Sequence, residues 1–71
     1  MIRLNRLNQD EIVINPSVVA YVERNPDTLI TLLNGERIYV RQSIEEVINL
    51  TAAFFRRVAS GSLQILSGRD T

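Results

Sequence analysis

Between Val18 and Arg41 apolar and polar residues alternate in steps of two, broken only at Arg24–Asp27 and at Asn34–Gly35. Alternation of that period marks half-buried strands, and the two breaks carry turn chemistry. The stretch therefore predicts three antiparallel strands. Asn34-Gly35 suits a type I′ turn with positive φ at both central residues. A two-residue loop there pairs Leu33 with Glu36, Thr31 with Ile38, Ile30 with Tyr39 and Leu29 with Val40. At the other break Pro26 supplies φ near −65° and Asp27 a side chain that bonds nearby backbone. A four-residue loop, Arg24–Asp27, pairs Glu23 with Thr28, Val22 with Leu29, Tyr21 with Ile30 and Ala20 with Thr31.

Because side chains alternate between the faces of a strand, these pairings sort the residues. One face collects Val18, Ala20, Val22, Leu29, Thr31, Leu33, Ile38 and Val40 and reads as core. The other collects Val19, Tyr21, Glu23, Thr28, Ile30, Leu32, Arg37, Tyr39 and Arg41, with Tyr21, Ile30 and Tyr39 forming a row across the strands.

Before this stretch, Ile2 to Leu7 alternates as a first strand, and Asn8-Gln9-Asp10 makes a turn. A three-residue loop pairs Leu4 with Ile14 and Arg6 with Ile12, placing Ile2, Leu4, Ile12 and Ile14 on one face. Asn15-Pro16-Ser17 then breaks the strand, since proline has no N–H to donate. After Arg41 the period lengthens to 3.6. Ser43-Ile44-Glu45-Glu46 is a capping box, and Ile44, Val47, Ile48, Thr51, Phe54, Phe55 and Val58 share one helical face. Glu45 and Glu46 at its start and Arg56 and Arg57 near its end suit the helix dipole, and Gly61 is a natural stop.

The expected architecture is α+β: a five-stranded antiparallel meander with one C-terminal amphipathic helix packed on one face. A single domain is expected over residues 1–61. Residues 62–71 are expected to form a tail, partly disordered or packing on a partner. One helix covers one face, so the second face is left over. Fully burying a large apolar side chain is worth roughly 1.5–3 kcal/mol, and an uncovered patch on a small domain marks a partner surface. Val19, Tyr21, Ile30, Leu32, Arg37, Tyr39 and Arg41 are the candidate protein-interface residues. Self-association into a homo-oligomer is favoured over a sheet that curls on itself or a tail folded across it, because so small a chain gains most from a shared core.

The chain has 71 residues, eight acidic and eight basic, with no Cys and no His. Disulfides, thiolate metal sites and imidazole chemistry are thereby excluded. Nucleophilic catalysis would need a Ser or Thr activated by a base the chain does not supply, and no oxygen-ligand ladder has calcium-loop spacing. Glu45 and Glu46 are adjacent, hence about 100° apart on a helix, and Glu46 already serves as a cap. No enzyme activity, cofactor or metal is expected. Arg37 and Arg41 beside Tyr21 and Tyr39 resemble the Arg–aromatic sheets that bind single-stranded nucleic acid. Zero net charge and Glu23 across the sheet from Arg41 weigh against phosphate and for an ordinary protein interface. No apolar run is long enough to span a membrane, MIRLNRLNQDE lacks a signal-peptide core, and cytoplasmic residence fits.

Three runs carry a family resemblance. Asn25-Pro26-Asp27-Thr28-Leu29-Ile30-Thr31-Leu32-Leu33-Asn34-Gly35, the opening Met1-Ile2-Arg3-Leu4-Asn5-Arg6-Leu7-Asn8, and Val40-Arg41-Gln42-Ser43-Ile44-Glu45-Glu46-Val47-Ile48 resemble, in order and spacing, the small flagellar proteins of the FlbD or SwrD family. Asn5 stands where Thr is usual there, Gln9 where Gly is usual, and Gln42 where Glu is usual. The resemblance covers residues 1–58. It implies a bacterial cytoplasmic protein needed for motility, peripheral at the flagellar motor, supporting stator units and torque rather than building the filament. The family brings no catalytic residues; its implied mechanism is binding to stator or other motor proteins. The middle stretch also resembles, over a shorter run, the strand pattern of LytTR-type DNA-binding domains, which implies a small nucleic-acid-binding regulator as the alternative.

Overall fold

The computed structural model describes residues 1–59, so the stop expected at Gly61 and the tail expected over residues 62–71 lie outside the described residues. Two antiparallel hairpin systems and one helix make up an α+β fold. Strands β1 (Ile2–Asn5) and β2 (Glu11–Ile14) form a two-stranded sheet; β3 (Val19–Arg24), β4 (Thr28–Leu32) and β5 (Arg37–Val40) form a three-stranded sheet in sequence order. Helix α1 spans Ile44–Ala59. The five expected strands are all present, but a 3-10 turn at Pro16–Val18 divides them into two sheets instead of one continuous meander. Asn15 opens that turn, its Oδ1 accepting from the Ser17 N–H and Oγ. The two sheets are stitched at one corner by an Arg6–Val40 bridge and an Arg41 N–H donated to the Asn5 carbonyl at 2.8 Å.

The same corner holds an amide clamp. The Asn5 N–H donates to Gln42 Oε1 at 2.9 Å, and Gln42 Nε2 donates to Asn5 Oδ1 at 3.0 Å. Asn5 Nδ2 reaches the Gln9 carbonyl at 3.4 Å. Asn5 thereby ties the end of β1 both to its own turn and to the segment leading into the helix. Paired in this way, partly buried amides avoid the cost of unmet hydrogen bonds.

The turns between β1 and β2 and between β4 and β5 are one device used twice. In Arg6-Leu7-Asn8-Gln9-Asp10 the Gln9 N–H donates to the Arg6 carbonyl and the Arg6 N–H to the Asp10 carbonyl; in Leu32-Leu33-Asn34-Gly35-Glu36 the equivalents are Gly35 to Leu32 and Leu32 to Glu36. Each Asn side chain accepts from the backbone N–H two residues on, Asp10 and Glu36 respectively. The residue after each Asn has positive φ, +81° for Gln9 and +91° for Gly35. This is a type I turn followed by a left-handed residue, the common three-residue hairpin loop. The two-residue type I′ loop expected at Asn34-Gly35 is therefore corrected: Asn34 keeps ordinary φ and uses its side chain, and Gly35 alone is left-handed.

That correction moves the register by one residue. Observed partners are Thr28–Val40, Leu29–Tyr39, Ile30–Ile38 and Thr31–Arg37 on one side of β4. On the other, Arg24–Thr28, Glu23–Leu29, Val22–Ile30 and Tyr21–Thr31 pair across a loop of Asn25, Pro26 and Asp27, one residue shorter than expected. A one-residue slip turns every side chain to the opposite face. Slips on both sides of β4 cancel for β3 and β5, so only the middle strand is inverted relative to expectation. A bulge at Ala20 changes the alternation once more, letting Val19 as well as Val22 turn inward. In the first hairpin the register moves by two (Leu4 faces Ile12, Ile2 faces Ile14), which leaves the faces unchanged.

The core gathers Ile2, Leu4 and Ile14 from the first hairpin, Ile30, Ile38 and Val40 from the sheet and Val47 from the helix, with Ile12, Val19, Val22, Leu32 and Phe54 packed against them. The expected capping box is present. The Glu46 N–H donates to Ser43 Oγ at 3.1 Å and the Ser43 N–H to Glu46 Oε1 at 2.9 Å. Helix packing is lighter than expected: of its apolar face only Val47 is fully buried, while Phe55 and Ile48 stay 44% and 56% exposed. An Arg24–Glu45 pair at 3.5 Å joins β3 to the first helical turn, but both side chains are solvated and the pair is worth little.

Candidate functional site

The sheet face turned away from the helix is ordered in two rows. One row runs Glu23, Leu29, Tyr39 across β3, β4 and β5; the next runs Tyr21, Thr31, Arg37. Leu29 is 0% exposed and Thr31 is buried, although both lie on this outer face. Their cover comes from the flanking strands. Arg37 Nη2 lies 4.0 Å from Glu23 Oε2, and since these residues sit on either side of β4, the pair crosses above Leu29 and Thr31. Long charged side chains can shield apolar surface in this way with their heads still in water.

Beside that strap the two tyrosines stand open, Tyr21 57% and Tyr39 42% exposed, at opposite corners of the two rows. Glu23 and Arg37 occupy the other two corners. The face thus offers two aromatic rings, a neutralised ion pair and a sealed apolar floor. Thr31 Oγ1 in that floor is buried without a hydrogen-bond partner, a cost the structure carries.

Of the residues expected at the interface, Tyr21, Arg37 and Tyr39 share this face. Ile30 does not: it is 0% exposed in the core, opposite Ile38 and Val22. Val19 and Leu32 are partly buried against the same core. Arg41 lies past the end of β5, lining a separate shallow cleft with Leu7, Pro26 and Asp27. The expected row of Tyr21, Ile30 and Tyr39 is therefore replaced by the diagonal pair of tyrosines. Glu23 faces Arg37, not Arg41. Leu29 was expected in the helix-side core; its place on the outer face, between Glu23 and Tyr39, follows from a register that alternation alone leaves open.

On the helix side lies a second concavity, an apolar groove of about 630 Å³. Ile14, Val19 and Val22 form one wall and Ile48, Thr51 and Phe55 the other. Its size falls among ligand-binding pockets, roughly 300–1,000 Å³. Among the described residues no cluster of three or more acidic, His or Cys side chains could hold a metal, and no helix is long and apolar enough to cross a membrane.

A family model, FlbD, described as flagellar and swarming motility proteins, matches residues 1–59. No curated protein and no solved structure matches the chain.

Proposed function

The chain belongs to the FlbD family of flagellar and swarming motility proteins, and from that membership we propose that it is a non-enzymatic accessory of the flagellar motor. In this reading it binds motor or stator components through the outer sheet face and so sustains torque. One observation carries the binding half of the reading: two exposed tyrosines, Tyr21 and Tyr39, flank an ion pair over a sealed apolar floor. Tyrosine and arginine are the residues that dominate interface energies, and a neutralised arginine favours a protein surface over phosphate.

The face also suits a second copy of the chain. With Glu23 and Arg37 at opposite corners, a two-fold axis along the tyrosine diagonal sets each copy's Glu23 against the other's Arg37. Isologous contacts of that kind are the commonest route to a homodimer. A soluble, peripheral place at the motor follows from the same reading.

The test is Tyr39→Glu with Tyr21→Glu, alone and in the bacterium. Sedimentation should move toward the monomer mass with the helical circular-dichroism signal retained. Cells carrying the variant should assemble filaments yet swim poorly, and stator or other motor proteins should co-purify with the native chain and not with the variant. Unchanged mass together with unchanged swimming would overturn the reading. A salt-sensitive shift of labelled DNA by the native chain would replace it with a nucleic-acid-binding role.

A further inference from the structure

We propose that α1 pairs antiparallel with α1 of a second copy of this chain, each helix closing the other's apolar groove. The helix carries two adjacent apolar stripes. Ile44, Val47, Thr51, Phe54 and Val58 recur at three- and four-residue spacing and are all buried or half-buried, with Val47 and Phe54 against the core. Beside them Ile48, Ala52, Phe55 and Ala59 repeat the spacing, but only Ala52 is half-buried and the other three are exposed. Ile48, Ala52 and Phe55 line the groove. Phe55 is held in place for a partner, its ring edge-on to that of Phe54 with centroids 5.2 Å apart. A helix with a second apolar stripe has a second surface to pack on.

Charge identifies the occupant as the same helix reversed. α1 is acidic in its first turn and basic in its last. Glu45 and Arg56, both exposed, lie about three turns apart and so flank the second stripe on the same side. A two-fold axis beside Thr51 keeps that side and reverses the direction. Each Glu45 then comes level with the other copy's Arg56, and each Ile48 with the other copy's Phe55, to within about 1.5 Å along the axis, one residue's rise. Glu45 also meets Arg24 of its own chain, but that contact is long, at 3.5 Å, and solvated. Thr51 and Ala52, small residues, fall at the crossing, where helix axes approach to roughly 8–10 Å. Antiparallel helices also oppose their dipoles, whereas a parallel pair sets Glu45 against Glu45 and Arg56 against Arg56. The groove and the tyrosine face lie on opposite sides of the sheet, so this pairing and the motor-binding reading stand or fall separately.

Sedimentation equilibrium on the full 71-residue chain carrying Tyr21→Glu and Tyr39→Glu tests the proposal with the outer face disabled. That chain should keep the mass of a dimer. Adding Ile48→Glu should reduce it to monomer with the helical circular-dichroism signal retained, while Leu33→Glu, at an exposed apolar loop position, should leave the dimer intact. Glu45→Arg alone and Arg56→Glu alone should each weaken the dimer at least about tenfold, because like charges then meet at both contacts. An equal mixture of those two variants should recover it, since a mixed pair sets opposite charges together again. A monomer before Ile48→Glu is added, a dimer indifferent to it, or no recovery on mixing would each overturn the pairing.

Discussion

Ile30 decides whether the observed register is right. In the structure it is 0% exposed, flanked by Ile38 and Val22 and touching the cluster that joins both sheets to Val47. Were β4 slipped by one residue, Ile30 would point outward and its truncation would cost little. Removing a buried isoleucine to alanine costs roughly 2–5 kcal/mol, and to valine about 0.5–1.5 kcal/mol. Total stability at about 0.05–0.15 kcal/mol per residue is roughly 3–9 kcal/mol for a body of this size. Ile30→Ala should therefore remove a large share of it, up to the whole, and Ile30→Val is the safer reporter. Urea unfolding followed by the helical signal gives the readout. With a denaturant slope near 1 kcal/mol/M, typical of the smallest domains, Ile30→Val should lower the midpoint by about 0.5–1.5 M. Leu33→Ala, at an exposed loop position, should change stability by less than about 0.5 kcal/mol. If Ile30→Ala unfolds no more easily than Leu33→Ala, the inverted middle strand is refuted, and with it the two-row outer face.

Thr31→Val removes a buried hydroxyl that has no partner, so it should stabilise by about 1 kcal/mol and raise the melting temperature by roughly 4–8 °C; a loss of stability would mean that Thr31 Oγ1 is hydrogen-bonded. Gln9→Gly relieves a left-handed non-glycine residue and should stabilise by up to about 1 kcal/mol. The matching Gly35→Ala should destabilise by about 1–2 kcal/mol although an added Cβ meets no atom within 4 Å, because the cost lies in φ and not in space. At the amide clamp, Gln42→Glu sets a carboxylate oxygen against Asn5 Oδ1 and should cost about 1–2 kcal/mol. Asn5→Thr, which supplies a hydroxyl donor, should recover much of that loss; a double-mutant cycle with coupling below about 0.5 kcal/mol would mean that the two side chains act independently.

The turn at Asn8-Gln9 shows how close sequence reading can come to a structural detail. Glycine is usual at position 9 in the family resembled, and the structure places Gln9 at φ +81°, the region glycine occupies without strain. Gln42 and Asn5, the other two departures, meet each other in the clamp. Their 37-residue separation made that meeting invisible along the chain.

By itself the sequence determined the five strands and the helix, the family, the capping box and the inward face of the first hairpin. In those places a single periodicity or a local hydrogen bond decides the outcome. What it left undetermined was which way β4 faces. Thr28-Leu29-Ile30-Thr31-Leu32 has residues fit for burial at both parities, and both parities are in fact largely buried, one in the core and one beneath Glu23 and Arg37. A turn shifted by one residue changes little locally but reverses the strand, so the choice fell to tertiary packing: only with Ile30 inward can the middle strand meet Ile2, Leu4, Ile14 and Val47 in one core.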